Sequence, residues 1–166
     1  MKRRMNMSKT SIIAEEGKQE IVITRIFDAP CDLVFRTYTN AATIPDWWGP
    51  RSMKTTVDRM ELKKGGVWRY VQQESNGNVH AHNGVYHEVA APERIVNTYE
   101  YEGFPGSVGL VTTTFEETPE GKTKLTEISL YPSVEVREGV LQSGMTEGAK
   151  ELMDRLDDLL IKLQSK

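Results

Sequence analysis

The chain is predicted to be an α+β protein in which a curved antiparallel sheet of six or more strands wraps one long C-terminal helix. Three observations predict it. From Glu20 to Tyr131, short runs rich in β-branched and aromatic residues alternate with turn residues. The connections between these runs are short, which makes successive strands antiparallel neighbours. From Met145 to Leu163, apolar or small residues fall at Met145, Ala149, Leu152, Leu156, Leu159 and Leu163, a spacing of four and three that lines one helix face. One stripe is too narrow to cover so broad a sheet, so the interior is expected to hold a pocket between sheet and helix.

Residues 1–9 are polar and are expected to form a flexible N-terminus, leaving residues 10–166 as one domain. Thr10 to Ala14 reads as a short edge strand, and Glu20 to Phe27 as the first main strand. Pro30 suits the start of a helix that runs to about Thr39, with Asp32 complementing its dipole and Leu33, Val34 and Tyr38 on one side. Asn40 suits the cap of a second short helix that Pro45 interrupts or ends. Trp47-Trp48-Gly49-Pro50 reads as a loop. Strands are then predicted at Met53–Leu62, Val67–Gln73, Val79–Val89, Arg94–Glu102, Leu110–Glu117 and Lys122–Tyr131, with Asn76-Gly77 marking a hairpin. Ser133 caps a helix to about Leu141, and Gly144 breaks it from the terminal helix. The far face of that helix, with Lys150, Glu151, Asp154, Asp157 and Asp158, is expected in water.

Composition excludes several classes. Twenty-one basic against 24 acidic residues give a net charge of −3, the wrong balance for nucleic acid. No apolar run approaches the roughly 20 residues that span a membrane, and no signal-peptide pattern follows the basic start, so no membrane insertion is expected. Cys31 is the one cysteine, which fits a reducing, cytoplasmic setting. No dinucleotide fingerprint, P-loop, zinc-protease, nucleophile-elbow or CxxC motif is present.

Several motifs occur in one order: Thr24-Arg25-Ile26-Phe27-Asp28-Ala29-Pro30, the Trp47-Trp48-Gly49-Pro50 loop, Gly65-Gly66 before an aromatic strand, Gly84-Val85-Tyr86, Pro92-Glu93-Arg94-Ile95-Val96, and Gly144-Met145 with Gly148 in the last helix. Together they resemble the activator-of-heat-shock-ATPase homologue family of the START-like (SRPBCC) superfamily. The resemblance covers about residues 10 to 163. It implies a helix-grip fold: six to seven antiparallel strands around a long C-terminal helix, with two short helices after the first main strand. It implies a hydrophobic ligand pocket in many relatives, but no single activity, since relatives bind small molecules, catalyse cyclisation or modulate a chaperone. Many members carry a large aromatic where this chain has Ala149; the smaller residue either enlarges the pocket or gives its space to a neighbour.

The candidate ligand-binding residues are Trp48, Trp68, Tyr70, Tyr86, Tyr99, Tyr101, Phe115, Met145, Ala149 and Met153. Residues two apart share a strand face, and Tyr and Trp join apolar surface to a polar tip. Plain core packing is the competing account of each. Trp47 and Trp48 are expected to diverge, one anchoring the loop and one at the pocket mouth, or else both to plug the core. His80 and His82 share a face but lack further zinc ligands, so no metal site is assigned. Cys31 reads as a spectator, and no catalytic residue is assigned. Arg25, Arg69, Glu88, Glu100 and Glu127 lie in strands, and any that faced inward would be a polar anchor or acid–base group. Glu127 is expected outside, because Ile128 and Leu130 make the other face the more apolar.

The sequence therefore points first to a small cytoplasmic protein that holds a hydrophobic or aromatic small molecule, with no cofactor. A cyclase- or dehydratase-type enzyme acting on a polyketide-like ligand and a chaperone ATPase co-regulator are the alternatives. A homodimer is left open.

Overall fold

The computed structural model describes residues 9–165, so the expected flexibility of the N-terminus concerns residues that lie almost wholly outside the described ones. Eight strands form one antiparallel sheet: β1 (Ser11–Ile13), β2 (Glu20–Phe27), β3 (Met53–Met60), β4 (Val67–Glu74), β5 (Val79–Ala90), β6 (Arg94–Tyr101), β7 (Gly109–Glu117) and β8 (Thr123–Leu130). Their order is β1-β2-β8-β7-β6-β5-β4-β3. The expected six to seven becomes eight, with the short β1 pairing onto β2 as an edge strand. Each of β3 to β8 follows its neighbour by a turn, except that β2 closes onto β8.

Four helices complete the fold: α1 (Cys31–Tyr38), α2 (Ile44–Trp47), α3 (Val134–Gln142) and α4 (Met145–Gln164). Pro45 does not end α2; it stands in the first turn, where its missing N–H costs no helical hydrogen bond, and Trp47 belongs to the helix rather than to a loop. Ser133 caps α3 by accepting from the Val136 amide. Gly144, at φ 87°, takes the left-handed turn that separates α3 from α4.

The sheet's inner face follows strict alternation: Ile21, Ile23, Arg25 and Phe27 on β2, Trp68 and Tyr70 on β4, Thr123, Leu125 and Ser129 on β8. Phe27, Leu125, Val34, Leu156 and Leu160 are sealed at one end of the barrel-like groove. The buried stripe of α4 is Met153, Leu156 and Leu160, rotated slightly from the predicted one, with Leu159 and Leu163 only half-buried.

The acidic face of α4 reaches water at Asp154 and Asp158, as expected, and also ties the helix to other elements. Asp154 and Asp157 accept from Arg25 at 2.8 and 3.3 Å, and the Arg25 side chain is 2% exposed. Glu151 accepts from the Arg51 amide and Asp158 pairs with the Arg51 side chain. Arg155 donates to the Gly49 carbonyl at 2.7 Å and to the Asp46 carbonyl at 2.9 Å. These contacts fasten β2, α2 and the tryptophan loop to one helix, because a buried guanidinium demands acceptors on several sides.

Candidate functional site

All six tyrosines of the chain (Tyr38, Tyr70, Tyr86, Tyr99, Tyr101 and Tyr131) turn toward the space between sheet and helices. Strand register places them in rows. Tyr99 of β6 lies opposite Gly109 of β7, and the Tyr131 ring lies beside Gly109, 3.5 Å from where its Cβ would stand. The next row holds Asn97, Val111 and Ser129, and the one after it Ile95, Thr113, Glu127 and Ile23.

Glu127 therefore faces inward, against the sequence expectation. The outward side of β8 carries Ile128 and Leu130, and Leu130 is 42% exposed. The apolar pair covers the convex face rather than the core. Glu127 is largely covered but keeps partial exposure, and burial raises its carboxyl to about 7. Among the described residues it has neither a hydrogen-bond donor nor a cation as partner. Its charge raises the phenols of Tyr38 and Tyr131, for both of which burial is the larger cause; Tyr131 reaches about 12. Thr113 is within hydrogen-bonding reach of Tyr38, and Ser129 of Tyr131.

A second polar layer crosses β4, β5 and β6. His82 Nε2 donates to Gln72 Oε1 at 2.8 Å, which leaves Nδ1 to accept from the Tyr99 hydroxyl at 2.6 Å. Burial, and next the neighbouring His80, lower His82 to about 4, so the ring is neutral. Beside it, His80 joins Glu74 at 2.5 Å and Tyr101 at 2.7 Å. Trp48 stands edge-on to both Tyr70 and His82, with centroids 5.0 Å away. Gly49 has φ 90°, and a Cβ there would come within 2.1 Å of Gln72 Nε2, so this loop needs glycine to reach the His82 layer.

The ten predicted ligand-binding residues divide. Trp68, Tyr70, Tyr86, Phe115 and Met153 are buried in the core. Trp48, Tyr99, Tyr101, Met145 and Ala149 face the interior but keep partial exposure. Trp47 is 1% exposed, so the two tryptophans do diverge. Of the charged strand residues, Arg25 is inward but held by Asp154 and Asp157, while Arg69 binds Glu102 on the outer face and Glu88 binds Arg94. Cys31 lies 3.4 Å from the Thr123 hydroxyl. Among the described residues no cluster of three or more His, Cys, Asp or Glu is placed to hold a metal.

The family model for activator of Hsp90 ATPase homolog 1-like proteins matches residues 28–161. The chain belongs to that family. Solved structures similar to it include a Mycobacterium smegmatis protein, 26% identical with a TM-score of 0.81, covering 91% of this chain and 96% of the other. A Rhodobacter sphaeroides protein is 25% identical with a TM-score of 0.84, covering 92% and 99%. A Staphylococcus epidermidis protein is 27% identical with a TM-score of 0.77, covering 89% and 93%. No curated protein matches the chain. Among the described residues of this family member, no helix is long and apolar enough to cross a membrane.

Sequence reasoning missed Glu127, Tyr38, Tyr131 and His82 as members of the site. Tyr131 was legible as the last inward step of β8, two residues beyond Ser129. Glu127 was not, because its neighbours made the wrong face look apolar.

Proposed function

We propose that this family member binds a small hydrophobic or aromatic molecule between the inner sheet face and the N-terminal half of α4, in the cytoplasm. One observation carries the reading. Inward residues at one end are sealed, whereas Tyr38, Trp48, Tyr99, Tyr131, Met145, Ala149 and Leu152 all point inward and stay only half-buried. That partial exposure supports an opening into the interior there, walled by aromatic rings and thioether. Two open depressions lie elsewhere, one beside Lys64, His87 and Val96 and one beside Arg51 and Gln73; neither has an inward aromatic in its wall. Burying about 200 Å² of apolar ligand surface contributes roughly 5 kcal/mol before ordering costs.

Titration with the neutral fluorophore N-phenyl-1-naphthylamine, with native mass spectrometry of freshly purified protein, tests this. Saturable one-to-one binding that Ala149→Trp abolishes supports it. Absence of binding by wild type, or binding that ignores Ala149→Trp, refutes it.

A second reading, a cyclase- or dehydratase-type enzyme, is favoured by Glu127 alone: an inward carboxyl near neutrality, beside the Tyr38 and Tyr131 phenols, can give or take a proton. The reading as a chaperone ATPase co-regulator rests on the family description and draws on no residue of the site.

A further inference from the structure

Glu127 is an inward carboxylate that keeps partial exposure, in one row with Ile23, Thr113 and Ile95, and among the described residues no cation or hydrogen-bond donor meets it. Water reaches this carboxylate in the unliganded protein, and a ligand that displaces that water leaves the charge desolvated unless it brings a partner. The groups around it are of one kind. Tyr38 approaches from α1 and Tyr131 from the end of β8, close enough for the carboxylate to raise both phenols. Tyr86 interacts with Tyr38, and Tyr99 with Tyr131. From α3 and α4, Val140, Leu141, Met145, Ala149 and Leu152 pack on the core, and the buried cation of α3, Arg137, is held by the Glu15 and Glu20 carbonyls and by Glu138. Arg25, the nearest inward cation along β2, is held by Asp154 and Asp157 and does not serve as counter-ion.

A single carboxylate among phenol rings is the chemistry that holds an organic ammonium: charge pairing on one side, ring faces on the others. We propose that the interior ligand is an amphipathic amine whose cationic nitrogen sits against Glu127 with its apolar body along Met145, Ala149 and Leu152. This rests on the ligand-binding reading and specifies the ligand's charge. An anionic ligand would meet like charge without screening, and a neutral one would leave the carboxylate unpaired.

The test uses three naphthalene probes that differ in the head group: 2-naphthylmethylamine, 2-naphthylmethanol and 2-naphthoate. At about pH 8, where Glu127 is ionised, the amine is expected to bind about ten-fold or more tighter than the alcohol, with the carboxylate weakest. Glu127→Gln should erase that preference and keep the alcohol's affinity. In wild type, amine affinity should fall at least about five-fold between about pH 8 and about pH 5.5, as Glu127 takes up a proton, while alcohol affinity holds. That second measurement needs no variant. Tyr38 and Tyr131 stand beside Glu127, with Tyr86 and Tyr99 beyond them, and all four phenols stay protonated across this range, while His82 behind Tyr99 stays neutral. If the alcohol binds as tightly as the amine, or the preference survives Glu127→Gln, the amine assignment fails and ligand binding stands. If no probe binds, both fail.

Discussion

The Tyr99 hydroxyl stands 2.6 Å from Nδ1 of His82, and that bond ties the polar layer of β4 and β5 to the row that leads through Tyr131 to Glu127. Two titratable groups thus flank one space with opposite consequences for acid.

The pH dependence of stability follows from their shifts. Glu127 is raised from 4.5 to about 7, so the fold binds its proton more tightly than the unfolded chain does; its contribution is full below pH 4.5 and is lost as pH rises through about 7. His82 is lowered from 6.5 to about 4, so its contribution is full above pH 6.5 and is lost as pH falls toward 4. Between these limits the two slopes oppose, and wild-type stability should be nearly flat from pH 4.5 to 6.5. Denaturant melts of Glu127→Gln should lose stability on acidification through that window, and those of His82→Gln should gain it. Parallel profiles for both variants would contradict the assignment.

Arg25 is clamped by Asp154 and Asp157 with its side chain almost wholly enclosed. Replacing both aspartates by Asn leaves an uncompensated buried charge, at a cost of about 3 kcal/mol. Arg25→Met in the same background should restore much of the loss, because an apolar chain of similar length needs no acceptor. Chemical denaturation of these two variants beside wild type measures this, and no rescue by Met would refute the clamp.

Arg155 holds the tryptophan loop by the Gly49 and Asp46 carbonyls. Arg155→Ala should cost about 2 kcal/mol and Arg155→Lys nearly as much, since one ammonium cannot span carbonyls that a planar fork reaches. Trp48 fluorescence, set by its packing on Tyr70 and His82, should move toward that of a solvated indole. Unchanged fluorescence would show the loop held by other contacts.

Ala149 faces space, so Ala149→Trp should change stability by less than about 1 kcal/mol, whereas a filled site would lose about 1–3 kcal/mol to overpacking. Thermal melts distinguish the two.

Much of this fold was legible. Ser133 and Gly144 bracket α3 where capping chemistry puts them, and the alternation of Trp68 and Tyr70 gave the inner face of β4. The count of six to seven came from the family resemblance, whereas the run-by-run reading already held the short Thr10 to Ala14 edge strand that pairs with β2 and makes eight. Pro45 reads as a stop or as a start from its chemistry alone, and only the chain after it decides. Glu127 misled for a physical reason. Leu130 sits opposite Leu110 and Ile128 opposite Val22 on the convex face, where they cover one another, while the inner face of β8 mixes Thr123, Leu125, Glu127 and Ser129. A strand that walls a polar interior inverts the rule that the apolar side is the inner one.

The most direct test of a half-filled interior is a methyl and indole NMR titration with 2-naphthylmethanol, which makes no appeal to charge. The account predicts saturable shifts confined to Met145, Ala149, Leu152 and the Trp48 indole, with Leu156 and Leu160 unmoved. Shifts centred on Val89 and Val96 beside the outer depression, or none at any concentration, would contradict it.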